Sequence, residues 1–303
     1  MVRVEARHAM EGNRPLTDQL VACHAPTAMA NNTQKGTPPQ PKRTASLQPA
    51  RKRARQTTRK TGLRRSRRAP RSQVLALAMH NRANLMRDHG KLAQAETLYR
   101  KALALRKRSL GLDHPDVAQT MNCLANLLEE SGRHAEAEPL YRQSLALRKK
   151  ALGREHRDVA SSLSNLANVL QSTGRYAEAE TLYLQSLKLR KKAYGSRHQN
   201  VAMCLSNLAI LKQATGRHAE AESLFQKALR LLEKALGDAH YLTAFTRSNF
   251  ADFLLLRGRV AEALLLAKQS VADLRNTLPK GHYYVQWARQ VLARSRKLQE
   301  NQP

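Results

Sequence analysis

The chain is short of the residues that most covalent and metal chemistry needs. Among its 303 residues stand three cysteines, Cys23, Cys123 and Cys204. None forms a CxxC pair and an odd number cannot complete a disulfide framework, so a reducing compartment, by default the cytoplasm, is expected. No run of about 18 apolar residues occurs, which excludes a membrane-spanning helix. Leu20-Val21-Ala22-Cys23 imitates a bacterial lipoprotein cleavage site, but a signal needs about 7–15 apolar residues ahead of it. Arg14, Pro15, Thr17, Asp18 and Gln19 occupy that place. Phosphate-cradling GxxxxGK, zinc-binding HExxH and nucleophile-bearing GxSxG patterns are missing as well. Together these absences argue against an enzyme, a cofactor, a metal site, a membrane partner and a small-molecule substrate.

Acidic residues are also scarce: 23 against 53 lysines and arginines, a formal net charge of +30. The imbalance is densest in residues 1–71, with 17 basic residues and 3 acidic ones. That stretch is rich in Pro, Gln, Thr and Arg and reads as a disordered basic tail. Arg51, Lys52, Arg53 and Arg55, then Arg64, Arg65, Arg67 and Arg68, fall in a segment, 42–71, without any acid. Such runs resemble nuclear-import or nucleic-acid patches, which would allow a nuclear location in a eukaryotic cell. With no aromatic residue among them to stack on bases, contact with nucleic acid would be to phosphate and unspecific. A plain solvated tail fits the same residues.

From Ser72 onward Leu, Ala, Glu and Arg take over, and the chain repeats itself. Gly90, Gly132, Gly174, Gly216 and Gly258 recur every 42 residues. His114, His156, His198, His240 and His282 keep the same step, as do Gly111, Gly153, Gly195 and Gly237. A fixed period of this length is the signature of a solenoid. Each unit has room for two helices. In the second unit one is expected from about Pro115 to Ser131, with Val117, Met121, Leu124, Ala125 and Leu128 on one apolar face. Gly132 breaks it, and a second runs from about Arg133 to Leu152 with Ala137, Leu140, Tyr141, Ser144 and Leu145 inward. Small residues hold two registers, Ala95/Ala137/Ala179/Ala221/Ala263 and Ala125/Ala167/Ala209/Ala251, where facing helices approach closely. The expected organisation is a tail, 1–71, and an all-α array, 72–300. Its units are 72–113, 114–155, 156–197, 198–239 and 240–281, followed by a capping helix, 282–300, made polar by Arg289.

The unit resembles the 42-residue tetratricopeptide repeat of kinesin light chains. The resemblance covers the five units and the half unit after them. It implies a right-handed α-solenoid whose first helices line a concave groove, and a protein-protein interaction scaffold that takes an extended peptide segment of a partner protein. Counted back from the glycine between the two helices, one groove register holds Asn81, Cys123, Asn165, Asn207 and Asn249. The register three residues on holds Asn84, Asn126, Asn168, Ile210 and Asp252, and Asn122 stands beside them. A carboxamide offers both a donor and an acceptor, so a ladder of them could pair with a peptide main chain. The plainer alternative is that they bond one another or the neighbouring helix. Met203 and Phe245 make the C-terminal part of the groove apolar and suit an apolar anchor on the partner. Nothing in residues 1–71 offers the heptad pattern that would join a motor heavy chain.

Other periodic residues invite sharper readings that geometry weakens. Equivalent histidines lie two helices apart, roughly 16–20 Å, whereas zinc ligands sit about 2 Å from one ion; turn-capping or packing is expected of them. Glu136/Glu138, Glu178/Glu180 and Glu220/Glu222 are two apart and point to different sides of a helix, which suits a favourable charge at a helix N-terminus. Arg106-Lys107-Arg108, Arg148-Lys149-Lys150 and Arg190-Lys191-Lys192 end successive second helices and could stack into an outer basic ridge. The alternative function is therefore a polyanion- or nucleic-acid-associated protein acting through tail and ridge.

Overall fold

The computed structural model describes residues 71–301, and the basic tail, including Arg51 to Arg55 and Arg64 to Arg68, lies outside them. Among the described residues there are eleven helices and no strand. They are α1 (Arg71–Asp88), α2 (Leu92–Leu110), α3 (Pro115–Glu130), α4 (His134–Leu152), α5 (Arg157–Ser172), α6 (Tyr176–Tyr194), α7 (Gln199–Ala214), α8 (His218–Leu236), α9 (Tyr241–Leu256), α10 (Val260–Thr277) and α11 (Tyr283–Glu300). Odd-numbered helices are the first of each pair, and the fold is an α-solenoid.

The helix ends show why the period is legible. In every odd helix from α3 to α11 the residue before it is a histidine in extended conformation. Its Nδ1 accepts the backbone N–H two residues on, at 3.1–3.2 Å. The periodic histidines are thus N-caps, each satisfying one of the donors a helix start leaves open. At the other end Gly132 takes φ +73°. Its N–H reaches Glu129 O at 2.9 Å while Arg133 N–H reaches Leu128 O at 2.8 Å. This is the paired closure that requires a left-handed residue, and so favours glycine.

Two layers follow from the packing. Twelve, thirteen and fourteen residues of the 16-residue helices α5, α7 and α9 are buried, against four or five of 19 in α4, α6 and α8. First helices therefore form the inner layer and second helices the outer one. Ala137, Ala179 and Ala221 on the outer helices and Ala125, Ala167 and Ala209 on the inner ones are fully buried where the layers meet.

Polar stitching joins each unit to the next. Arg106, the first residue of its basic triplet, is buried and donates to Asp116 O and Thr120 Oγ1 of the following unit at 2.8 and 2.7 Å. Arg148 does the same to Asp158 O and Ser162 Oγ, and Arg190 to Asn200 O. On the surface Arg133, Arg175, Arg217 and Arg259 each reach back 37 residues to Glu96, Glu138, Glu180 and Glu222, while pairing with a glutamate three residues ahead. The glutamate pairs are therefore inter-unit partners as well as first-turn charges. Lying at the surface, these ion pairs are screened by solvent and contribute little to stability.

Candidate peptide-binding surface

The asparagine register lies on the inner layer, but its carboxamides are engaged there. Asn84 accepts the Tyr99 hydroxyl at 2.5 Å, Asn126 that of Tyr141 at 2.5 Å and Asn168 that of Tyr183 at 2.6 Å. Asn165 Nδ2 donates to Asn122 Oδ1 at 3.3 Å and to Asn126 Oδ1 at 3.2 Å, and Asn207 Nδ2 to Asn168 Oδ1 at 3.3 Å. Asn249 Oδ1 accepts the indole N–H of Trp287 at 2.9 Å. Asn122, Asn126, Asn165, Asn168, Asn207 and Asn249 are buried, Asn84 is half-buried and Asn81 is exposed. This corrects the picture of an open ladder: the bonds join one inner helix to the next and to its own outer helix, because a buried amide without a partner costs about 1–3 kcal/mol.

The two apolar groove residues are closed over as well. Met203 is buried, and Phe245 is fully buried beneath Tyr284 of α11, with ring centroids 3.9 Å apart. The open apolar wall expected near the C-terminal end is thus corrected: Met203 is buried within the array and the capping helix lies on Phe245. Asp252 is drawn into the same closure by Arg294, whose guanidinium bonds it at 2.5 Å and lies 5.5 Å from the centroid of the Trp287 ring.

A relation between repeats explains why the ladder is interrupted, and sequence reading missed it. The tyrosine stands 15 residues after the asparagine it bonds in the first three units: Asn84/Tyr99, Asn126/Tyr141 and Asn168/Tyr183. In the fourth unit the pair is Ile210/Phe225, so the hydroxyl and its acceptor are lost together, and in the fifth it is Asp252/Ala267. The paired change was visible in the aligned repeats and marks the asparagine as a structural partner.

Next to this bond lies a position held by Glu129, Gln171 and Gln213 in successive units. Tyr141 has one hydroxyl proton and two oxygens 2.5 Å away, Asn126 Oδ1 and Glu129 Oε2. A protonated Glu129 carboxyl that donates to the tyrosine oxygen lets both contacts be full hydrogen bonds. Burial pushes this carboxyl up to about 8, opposed by the Tyr141 contact and reinforced by the charge of Glu130. Between its unfolded value near 4.3 and about 8 the folded chain holds a proton that the unfolded chain releases, so this group's contribution to stability falls as pH rises through that window. Glu129→Gln is therefore expected to melt close to the wild type near pH 5 and several degrees above it near pH 9. A melting difference independent of pH would refute the neutral carboxyl.

The outer ridge is thinner than its sequence. Arg106, Arg148 and Arg190 turn inward, and Lys150 and Lys192 pair with Asp113 and Glu155, each at 2.5 Å. Among the described residues no group of three His, Cys, Asp or Glu side chains is placed to hold a metal, and no helix is long and apolar enough to cross a membrane. Cys204 is buried and Cys123 partly so, both as thiols.

Stacked helical pairs with a histidine cap, a glycine closure and close-packed alanines at a constant step define a helical-repeat protein. The profile of the tetratricopeptide repeat matches residues 74–150, 158–234 and 205–276, and the chain belongs to that family. Among solved structures it is similar to a kinesin-light-chain protein of Podosopora anserina with nearly identical TPR-like repeats. That protein is 24% identical, the match covering 70% of this chain and all of that one with a TM-score of 0.54. A single-residue variant of the same protein gives 24% identity, coverages of 69% and 99%, and 0.55. BtubC (BKLC) of P. vanneervenii is 20% identical over 71% and 91% of the two chains, with 0.49. No curated protein matches. The fold is thus that of kinesin-light-chain-like tetratricopeptide repeats, the architecture of a protein-protein interaction scaffold.

Proposed function

We propose that the inner face of the array receives an extended segment of a partner protein, centred on the third unit. One observation carries this: α5 keeps buried polar atoms that nothing among the described residues satisfies. Asn165 Oδ1 has no partner although its Nδ2 has two, and Gln171 Nε2 has none. Turning the Gln171 amide round would give its nitrogen to Tyr183 and leave its oxygen unpaired instead, so one polar atom stays open either way. The two side chains are six residues apart, about 9 Å along the helix, a span of about three residues of extended chain. Both side chains are buried as the array stands, so a peptide reaches them as their amides turn toward the inner face, where its main-chain N–H and C=O groups supply the missing complements. Such a role is one of binding, without a catalytic step.

The test starts from photo-crosslinkers at Ser161, on the third inner helix, and Lys149, on the outer ridge, in the full chain, followed by mapping of what each captures. A synthetic segment from the α5 adduct is then titrated calorimetrically at two salt concentrations. The expected result is an affinity nearly independent of salt and about tenfold weaker with Asn165→Ala, provided that variant keeps its helical circular dichroism. Capture at Lys149 alone, with affinity falling at a logarithmic slope near −0.9 per phosphate neutralised, would instead establish the polyanion reading.

A further inference from the structure

The N-terminal end of the array leaves open a face that every later unit buries. From the second unit on, one stripe of the inner helix packs against the outer helix of the unit before. Phe250 and Phe253 lie 5.6 and 5.7 Å from Phe225, Thr120 accepts from Arg106, and Cys204 Sγ donates to Tyr183 O at 3.4 Å. In the second unit the stripe is Val117, Thr120, Leu124 and Leu127, none more than 1% exposed. The same positions of α1 are Leu75, Ala78, Arg82 and Leu85, three to four residues apart and so on one side of the helix. Here Leu75 is 47% and Leu85 52% exposed, Ala78 and Arg82 are exposed too, and Val74, at 57%, widens the strip.

We propose that this stripe joins two copies of the chain, with their α1 helices antiparallel about a twofold axis. Read in opposite directions the stripe is complementary to itself, as such an interface requires. Leu75 comes opposite Leu85, the small Ala78 opposite the long Arg82, and Asp88 opposite the Arg71–Ser72 end. The Arg82 stem lies over apolar surface while its charged head reaches water. Other occupants fit less well. A head-to-tail contact would bring Arg82 against the C-terminal helix, where Arg289, Arg296 and Lys297 are exposed. Residues 1–70 contain no aromatic residue, whereas the outer helices that cover this stripe elsewhere bring Tyr99, Tyr141, Tyr183 or Phe225.

The size of the face sets the strength of the association. Helix α1 is about 27 Å long, and one side of it offers about half of the roughly 800 Å² per partner found in stable complexes. The dimer therefore dissociates at about micromolar concentration or above. Two copies of a chain with net charge +30 repel at low salt, and screening shortens that repulsion to about 8 Å at physiological ionic strength. Association thus strengthens with added salt, opposite in sign to polyanion binding, and it is independent of the peptide reading above.

Sedimentation equilibrium of the full chain from about 1 to 100 µM tests this, with wild type beside Leu75→Asp/Leu85→Asp and Ala78→Arg. The wild type is expected to pass from one mass to twice that mass, more readily at higher salt, while both variants stay monomeric with unchanged helical ellipticity. A wild type monomeric throughout, growth beyond the dimer, or a dimer that survives Ala78→Arg would each overturn the proposal. So would a monomeric wild type whose melting temperature drops with Leu75→Asp/Leu85→Asp, since the stripe would then be covered from within the chain.

Discussion

Ala179→Arg in the third unit is expected to lower the melting temperature by about 6–12 °C, and Arg175→Ala four residues earlier to change it little. Ala179 is fully buried in α6, where the outer layer closes on the inner one. An arginine there either forces the layers apart, an overpacking cost of about 1–3 kcal/mol, or leaves a buried charge unpaired, about 3–5 kcal/mol. About 3 kcal/mol or more in a chain of this size corresponds to that shift at about 2–4 °C per kcal/mol. Each unit is held mainly by its neighbours, so the defect propagates on both sides. Arg175 is 40% exposed and bonds Glu138 and Glu178, surface pairs that solvent screens and that contribute little. Differential scanning calorimetry decides the matter, and equal melting of the two variants would show that the packing register is wrong.

The second large effect is a coupling between Asn168 and Tyr183. Asn168→Ile removes the acceptor of the Tyr183 hydroxyl and of Asn207 Nδ2, and about 2–3 kcal/mol of stability should go with it. Tyr183→Phe removes only the hydroxyl and should cost about 1 kcal/mol. The double variant recreates the pairing that Ile210 and Phe225 already make in the fourth unit, where both are fully buried. It should therefore lose at least about 1 kcal/mol less than the two single changes added together. Urea unfolding at constant m-value measures all four corners of the cycle. Strict additivity would mean that the two residues do not depend on each other, and would return the asparagine to the set of free groove side chains.

These expectations mark where sequence reading succeeded and where it stopped. Helix limits came within a residue or two because the chain states them chemically, in a histidine that caps the inner helix and a glycine that accepts positive φ. Alanine registers announced where layers meet. The asparagines fall on the expected helices and near one another, and of the two roles open to them the structure shows bonding to one another and to the neighbouring helix. Position 165 reads the same whether its amide faces water or Asn126, and only the distance between successive inner helices shows that it reaches Asn122 and Asn126. The basic triplets failed for the same reason. Arg148 and Lys149 are adjacent cations in sequence, yet one bonds the next unit's backbone and the other is exposed.

By itself, then, the order of residues determined the period, the two helices of each unit, the glycine turns and the membership of a repeat family, since each depends on contacts within about one unit. Tertiary structure alone decided which polar side chains are consumed by the array, which register is open at its N-terminal end, and that the capping helix closes Phe245 and engages Asp252 and Asn249. The physical reason is that helical period and capping depend on neighbours a few residues away. Whether a carboxamide, a guanidinium or a leucine stripe meets solvent depends instead on partners on other helices, 10 to 43 residues away, whose approach is set by the packing of helix on helix.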